Sequence, residues 1–270
     1  MARVTSAERK ERTHTLELGG DDLPVQGLVR GLNVLRAFRP GEGSLSHSEL
    51  AIRTGLPNAT VSRLTETLTA LGYLAYIPRL GRYTLGPAIA SLCHSLMTGM
   101  PYRIHARPTL ERLAERFRLP VSLGARDQLD MINIETVRHS DAPYARFDLG
   151  ARIPIDCTAM GRAYLYGLPE GERGQVISAI LKDASAKKKA QVQKGLDAAF
   201  NSLAKQGYCT SLGDWRADVW GVAASIVTPD GVSLAINCGG HPNDLTKELI
   251  EGEIGPRISS AAAEINNVSL

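Results

Sequence analysis

Long apolar runs are missing from this chain of 270 residues. No stretch reaches about 18 consecutive apolar side chains, so no segment reads as a membrane-spanning helix and no membrane partner is expected. Cysteine is scarce as well. Cys93, Cys157, Cys209 and Cys238 stand far apart with no CxxC pair, which excludes a zinc finger and a disulfide scaffold and suits the reducing cytoplasm. The six histidines fall in no HExxH or paired metal-ligand spacing. Cys157, Cys238 and His241 are the one set that could meet around a metal, but nothing in their spacing demands it; neither metal nor cofactor is expected. A catalytic nucleophile is equally hard to find. No His or Asp stands at a telling position beside Cys157, and a lone cysteine is usually a packed small hydrophobe. Gly161 lacks the partner glycine that a nucleophile elbow needs. The first residues alternate Arg, Lys and Glu without an apolar core, unlike a signal peptide. An enzyme is not expected.

Excess charge of one sign is also small, a formal +3, yet it is unevenly placed. Residues 1–90 hold 11 Lys and Arg against 8 Asp and Glu, whereas residues 91–270 hold 20 of each. Between Arg53 and Arg82, four arginines stand against the single acid Glu66. Such a segment attracts phosphate in a weak, salt-sensitive way.

The same segment carries the clearest pattern in the chain. Ser46 with Glu49 three residues on is a capping box, which starts a helix at His47. Gly55 ends it, and Leu56-Pro57 turns the chain. Asn58 is a good N-cap for a second helix. There Val61, Leu64, Leu68 and Leu71 form one apolar stripe facing the first helix. The other side carries Ala59, Ser62, Arg63, Glu66 and Thr67, a face that fits a major groove roughly 12 Å wide. Gly72 stops this helix. Tyr73–Ile77 and Tyr83–Leu85 read as two strands around the turn Pro78–Arg82, whose Arg79 and Arg82 can touch sugar-phosphate. The spacing points to a winged helix-turn-helix; an ordinary helical hairpin with solvated charges is the alternative. The residues expected at double-stranded operator DNA are Ser46, Asn58, Ala59, Thr60, Ser62, Arg63, Thr67, Arg79 and Arg82.

The segment SELAIRTGLPNATVSRLTETLTALGYL followed by GRYTLG resembles the isocitrate lyase regulator (IclR) family of bacterial transcription factors. GLVRGLNVLRAF upstream and RIPIDCTAMGRAYL downstream are similar to that family's first helix and to the start of its ligand domain. The similarity runs from about residue 25 to 265. It implies an α+β chain with an N-terminal winged helix-turn-helix, a linker helix and a C-terminal α/β sensor domain built on an antiparallel sheet.

In chain order, residues 1–22 read as a mobile arm, 23–86 as the DNA-binding domain, 87–104 as a linker helix and 105–270 as the effector-binding domain. Val25 to Phe38 is an amphipathic helix with Val25, Leu28, Leu32, Leu35 and Phe38 in step. The linker stripe of Ile89, Leu92, Leu96, Met97 and Ile104 is core or a partner-helix surface; the resemblance implies self-association to a dimer or tetramer. Beyond it, helices are expected at Arg107–Arg118, Ala159–Gly167, Glu170–Leu181, Ala190–Gln206 and Leu245–Asn266. Strands are expected at Val121–Asp127, Asp130–Val137, Tyr144–Leu149, Val222–Thr228 and Val232–Cys238. Lys187-Lys188-Lys189 reads as a solvated loop or helix start.

Pro154 breaks a strand before Thr158, which can cap a helix beginning Ala159-Met160-Gly161. Exposed N–H groups and the dipole at such a start suit a carboxylate, although from this segment alone a plain capped helix is the better reading. The resemblance places an effector around Cys157, Ala159, Met160, Gly161, Asp214, Val219, Gly221, Val222, Cys238 and Gly240. Serines common near the last strand's end in the family are replaced here by Cys238 and Gly240. Trp215 and Trp220 either border the pocket or anchor the core. Together these features imply a catabolic regulator, expected to repress, that answers to an aromatic or short-chain carboxylic acid.

Overall fold

The computed structural model describes residues 24–139 and 147–267; the expected arm at 1–22 lies outside them. Contacts divide the chain between Gly99 and Met100.

In the first unit, α1 spans Gln26–Arg36, α2 His47–Thr54 and α3 Asn58–Ala70. Both halves of the Ser46–Glu49 capping box form, and Gly55 closes α2 in the left-handed conformation at φ 68°. The N-cap of α3 differs from the expectation. Pro57, not Asn58, takes that position, because its carbonyl receives the N–H groups of Thr60 and Val61. Asn58 is left exposed, with no side-chain bond to the helix. The inward stripe also differs: Val61 and Thr65 are both fully buried, Leu64 and Leu68 pack beside them, and Leu71 is 62% exposed. At roughly 100° per residue, Leu71 lies about 80° around the helix from Val61, past the edge of the core. Thr65 tolerates burial because its hydroxyl donates to the carbonyls of Val61 and Ser62. At the other end, Gly72 N–H reaches Thr69 and Tyr73 N–H reaches Leu68, a Schellman closure that stops α3.

A three-stranded sheet follows, with β1 at Leu45–Ser46, β2 at Leu74–Ile77 and β3 at Arg82–Leu85 in the order β1-β3-β2. The short β1 is too brief to leave a sequence signal. In α1, Gly31 and Val34 face the core while Val25, Leu28 and Leu32 are 59%, 61% and 49% exposed. The apolar row read from the sequence is therefore split, and its first three members stay outside. Helix α4, Pro87–Thr98, has no buried residue; Leu92 and Leu96 are more than half exposed.

In the second unit, α5 runs Pro101–Phe117, so residues 101–104 start this helix rather than continue α4, and Tyr102 joins the second unit's core. Six antiparallel strands have the order β6-β5-β4-β9-β8-β7. They are β4 Val121–Asp127, β5 Asp130–Val137, β6 Arg152–Pro154, β7 Cys209–Leu212, β8 Trp220–Val227 and β9 Ser233–Gly240. The strand expected at 144–149 is replaced: residues 144–146 lie outside the described residues, 147–149 are not strand, and Arg152–Pro154 pairs with β5 instead. Helices α6 Ala159–Gly167, α7 Glu170–Leu181 and α8 Ala186–Gln206 fall close to expectation. The triple lysine lies in the first turn of α8, where Lys188 pairs with Asp156 at 2.6 Å. The last helical stretch is α9 Lys247–Leu249, a π turn at Ile250–Ile254, then α10 Gly255–Asn266.

Strand alternation builds two cores, one on each face of this sheet. Val222, Ala224, Leu234, Ile236 and Cys238 pack with α5 and α10. Ala223, Ala235, Cys209 and Met131 pack with α6 and α8. A register shift after Leu123 leaves Ile134 as the extra residue on β5 and turns Glu135 toward α5. There the buried Glu135 meets Arg103 at 2.7 Å and Arg107 at 3.2 Å.

Candidate DNA-binding face and sensor site

On α3, Asn58, Ala59, Ser62, Arg63, Glu66 and Thr67 are all exposed opposite the buried row. Thr60 is half-buried at the edge of that face. Ser62 Oγ meets His47 Nε2 at 2.9 Å, a link between the two helices that the sequence did not signal. Thr67 donates to its own helix at Arg63 O.

The four arginines of this segment separate into two kinds. Arg53 donates to Ala37 O and pairs with Glu42. Arg82 donates to the Ser44 carbonyl at 2.8 Å and to Glu49 at 2.7 Å. Both guanidiniums brace the fold, so Arg82 is tied to the capping box rather than offered at the wing tip. Ser46 is similarly committed, since its hydroxyl both accepts from Glu49 N–H and donates to the Glu49 carboxylate. The Arg63 and Arg79 side chains are exposed, and their guanidiniums make no hydrogen bond or ion pair among the described residues. They are the open cations of this surface.

In the second unit, Thr158 caps α6: its hydroxyl accepts the Gly161 N–H at 3.1 Å and donates to Pro154 O at 2.6 Å. The N–H groups of Ala159 and Met160 have no partner within their own helix by position. Yet these residues are only 2% and 0% exposed. A Cβ at Gly161 would stand 2.1 Å from the Ile155 carbonyl, so glycine there admits the preceding loop. Gly221 on β8 brings its backbone over Ala159, and Gly124 on β4 leaves room for the Met160 thioether. Ser211 Oγ donates to Cys157 O at 2.8 Å.

Strand alternation sorts the expected effector residues. Val222 and Cys238 point to the α5–α10 core, and a Cβ on Gly240 would meet Leu119 and Leu245 there. These three lie on the far face of the sheet from α6, which removes them from any ligand held at its start. Asn237, by contrast, pairs with Ala223 and flanks Gly221 on the α6 face. Trp215 packs on the α6 side with Phe147, ring centroids 5.2 Å apart, whereas Trp220 supports the other core. Asn133, opposite Gly124 and hence beside Met160, donates to Phe147 O at 2.9 Å while its side-chain oxygen is buried without a partner.

Arg162 is the residue the sequence reading missed, one turn into α6. Its side chain is 6% exposed, and one nitrogen meets Asp214 at 2.6 Å. Asp214 sits at the start of the 213–219 loop after Gly213, whose φ is +90°. The relevant signal was a charged residue three positions after Ala159, on the same side of a helix. Two concavities lie away from α6: one of about 300 Å³ beside Tyr208 and Lys247, and an open groove of about 540 Å³ beside Ile52 and Pro57.

Residues 27–78 match the IclR helix-turn-helix domain and residues 94–267 match the C-terminal domain of the bacterial transcriptional regulator IclR. The chain belongs to the IclR family. It is 33% identical over 245 residues to the HTH-type transcriptional regulator TsaQ1/TsaQ2 of Comamonas testosteroni, covering 89% of this chain and 87% of that protein. An IclR-family regulator from Brucella abortus superposes with a TM-score of 0.82 at 35% identity, over 96% of this chain and 98% of that one. An IclR homologue from Microbacterium hydrocarbonoxydans, solved with 4-hydroxybenzoate, shares the fold with a TM-score of 0.66 at 21% identity, over 89% and 97%. IclR proteins are transcriptional regulators rather than enzymes. Burial pushes the Cys209 thiol up to about 12 and the Cys157 and Cys238 thiols well above their ordinary value. Among the described residues no cluster could hold a metal, and no helix is long and apolar enough to cross a membrane.

Proposed function

We propose that this IclR-family chain is a cytoplasmic repressor whose winged helix reads an operator and whose second unit senses an organic acid. One observation carries the DNA half: Arg63 is exposed and unpartnered on α3, opposite the buried Val61 and Thr65. Ser62 and Thr67 border it with hydroxyls that can meet base edges. Arg79 adds a phosphate contact at the turn beside the groove. The acid half is supported by the capped start of α6 and by the buried guanidinium beside it, a pairing suited to aromatic or short-chain carboxylates from catabolism. The 4-hydroxybenzoate held by the Microbacterium homologue agrees with the aromatic choice.

The exposed apolar rows support self-association to a dimer or tetramer. Half-buried Ile89 and exposed Leu92 and Leu96 share one side of α4, as do Leu28 and Leu32 on α1 with Val25 just before it, and water gains when such rows cover one another. Two recognition helices would then meet half-sites roughly 34 Å apart, or a multiple of that. Repression is the simpler sign, since a dimer seated on two half-sites blocks the DNA that it covers. Gel shifts on the DNA upstream of the chain's own gene, from low to high salt, test the reading together with sedimentation. A dimer with sequence-specific, salt-sensitive binding is expected; a micromolar monomer, or equal affinity for unrelated DNA, would overturn it.

A further inference from the structure

Arg162 and Asp214 do not behave like an ordinary surface pair. The guanidinium is almost wholly buried and meets Asp214 at 2.6 Å, while the Asp214 side chain is 43% exposed. Room for the guanidinium is left deliberately open on α8, where a Cβ at Gly195 would stand 2.4 Å from an Arg162 nitrogen. A second bond reaches the Asp156 carbonyl at 3.4 Å, and Asp156's own carboxylate is taken by Lys188 at 2.6 Å. Asp214 is thus the carboxylate that compensates a buried cation, and it rides on the 213–219 loop that leads into Gly221 over Ala159. Among the described residues Asp214 is the one carboxylate paired with Arg162, and a buried guanidinium stripped of such a partner is costly. If Asp214 leaves, another anion must take its place.

We propose that Asp214 stands in for the effector's carboxylate: an incoming acid takes Arg162, releases Asp214, and frees the 213–219 loop. Ala159 and Met160 lie within a turn of Arg162 and are buried, so the exchange alters packing at the start of α6. It also selects carboxylates over amides, because a neutral oxygen cannot compensate the cation. Trp215, next to Asp214 and packed on Phe147, moves with the loop. This inference rests on the acid-effector reading above.

The test is calorimetric titration of the full chain with benzoate, 4-hydroxybenzoate, propionate and benzamide, alongside tryptophan emission. Asp214→Asn keeps the shape but weakens the internal competitor, so acids that bind the wild type bind this variant tighter, on the order of tenfold. Benzamide affinity stays the same. Arg162→Lys keeps the charge but cannot span the same partners, and acid affinity falls with the emission change lost. Acids that bind the wild type but bind Asp214→Asn equally or more weakly overturn the exchange while leaving the acid-effector reading intact. A wild type that binds none of the three acids overturns both.

Discussion

The exposed face of α3 and the proposed sensor site at the start of α6 are built on opposite plans. The recognition face of α3 is a finished surface: Asn58, Ala59, Ser62, Arg63 and Thr67 are exposed, and one helix carries them all. The start of α6 is a closed joint, assembled from β4, β5, β8, the 213–219 loop and α8, with Met160 fully buried at its centre. A surface that must fit a rigid duplex gains from being ready beforehand, since ordering side chains on binding costs affinity. A sensor has to exist in two arrangements that its ligand distinguishes, so part of its site must be held shut by something displaceable.

Backbone packing gives the largest expected effect in this contrast. Gly161→Val forces a side chain onto the Ile155 carbonyl and should destabilise the second unit by about 3 kcal/mol. Both tryptophans, Trp215 and Trp220, lie in that unit, so denaturant unfolding followed by tryptophan emission reads the loss. An unchanged midpoint would mean that the start of α6 is looser than the close contact implies.

Next comes the division among the arginines. Arg63→Ala should weaken operator binding by about 1–3 kcal/mol without lowering thermal stability. Arg82→Ala should do the reverse, lowering the first unit's melting temperature through loss of its bonds to Ser44 and Glu49, with a smaller effect on DNA. Should both variants lose DNA affinity equally at full stability, the distinction between brace and contact fails.

The α2 capping box gives a smaller effect. Ser46→Ala should cost about 1 kcal/mol of stability in the first unit, read by circular dichroism melting.

Smallest is a pH effect on the same box. The Ser46 backbone N–H, with its hydroxyl and Arg82, holds the Glu49 carboxyl below the ordinary carboxylate value of 4.5. A depressed carboxylate stabilises the fold above its unfolded pKa, and that contribution is lost as pH falls through the folded value. The wild type should therefore lose stability below about pH 4.5 more steeply than Glu49→Gln. Parallel acid profiles for the two proteins would contradict the shift.

What could be read from the sequence followed the range of the interactions. Capping boxes, left-handed glycines and helix stripes act over three or four residues, so Ser46, Glu49, Gly55 and the α3 face were all visible in the string. Which strand residues face the proposed sensor site at α6 was not visible, because facing depends on strand register. Taking Gly221 as facing α6 would have selected Asn237 across the sheet, yet the resemblance suggested Cys238, one residue over and on the opposite face. Ion pairs were the least visible. Nothing local distinguishes Arg63, which is open, from Arg82, which is spent on Glu49 33 residues away. Arg162 and Asp214, 52 residues apart, meet only once the sheet is assembled.

The central claim is that acid at the start of α6 and DNA on α3 are coupled, and one titration tests it most directly. The dissociation constant for the upstream DNA is measured with and without a saturating carboxylate that the chain binds, at fixed salt. Because coupling is reciprocal, the account predicts a shift of about tenfold or more in DNA affinity and the same factor in acid affinity when DNA is bound. Identical DNA affinity with and without saturating acid would contradict it.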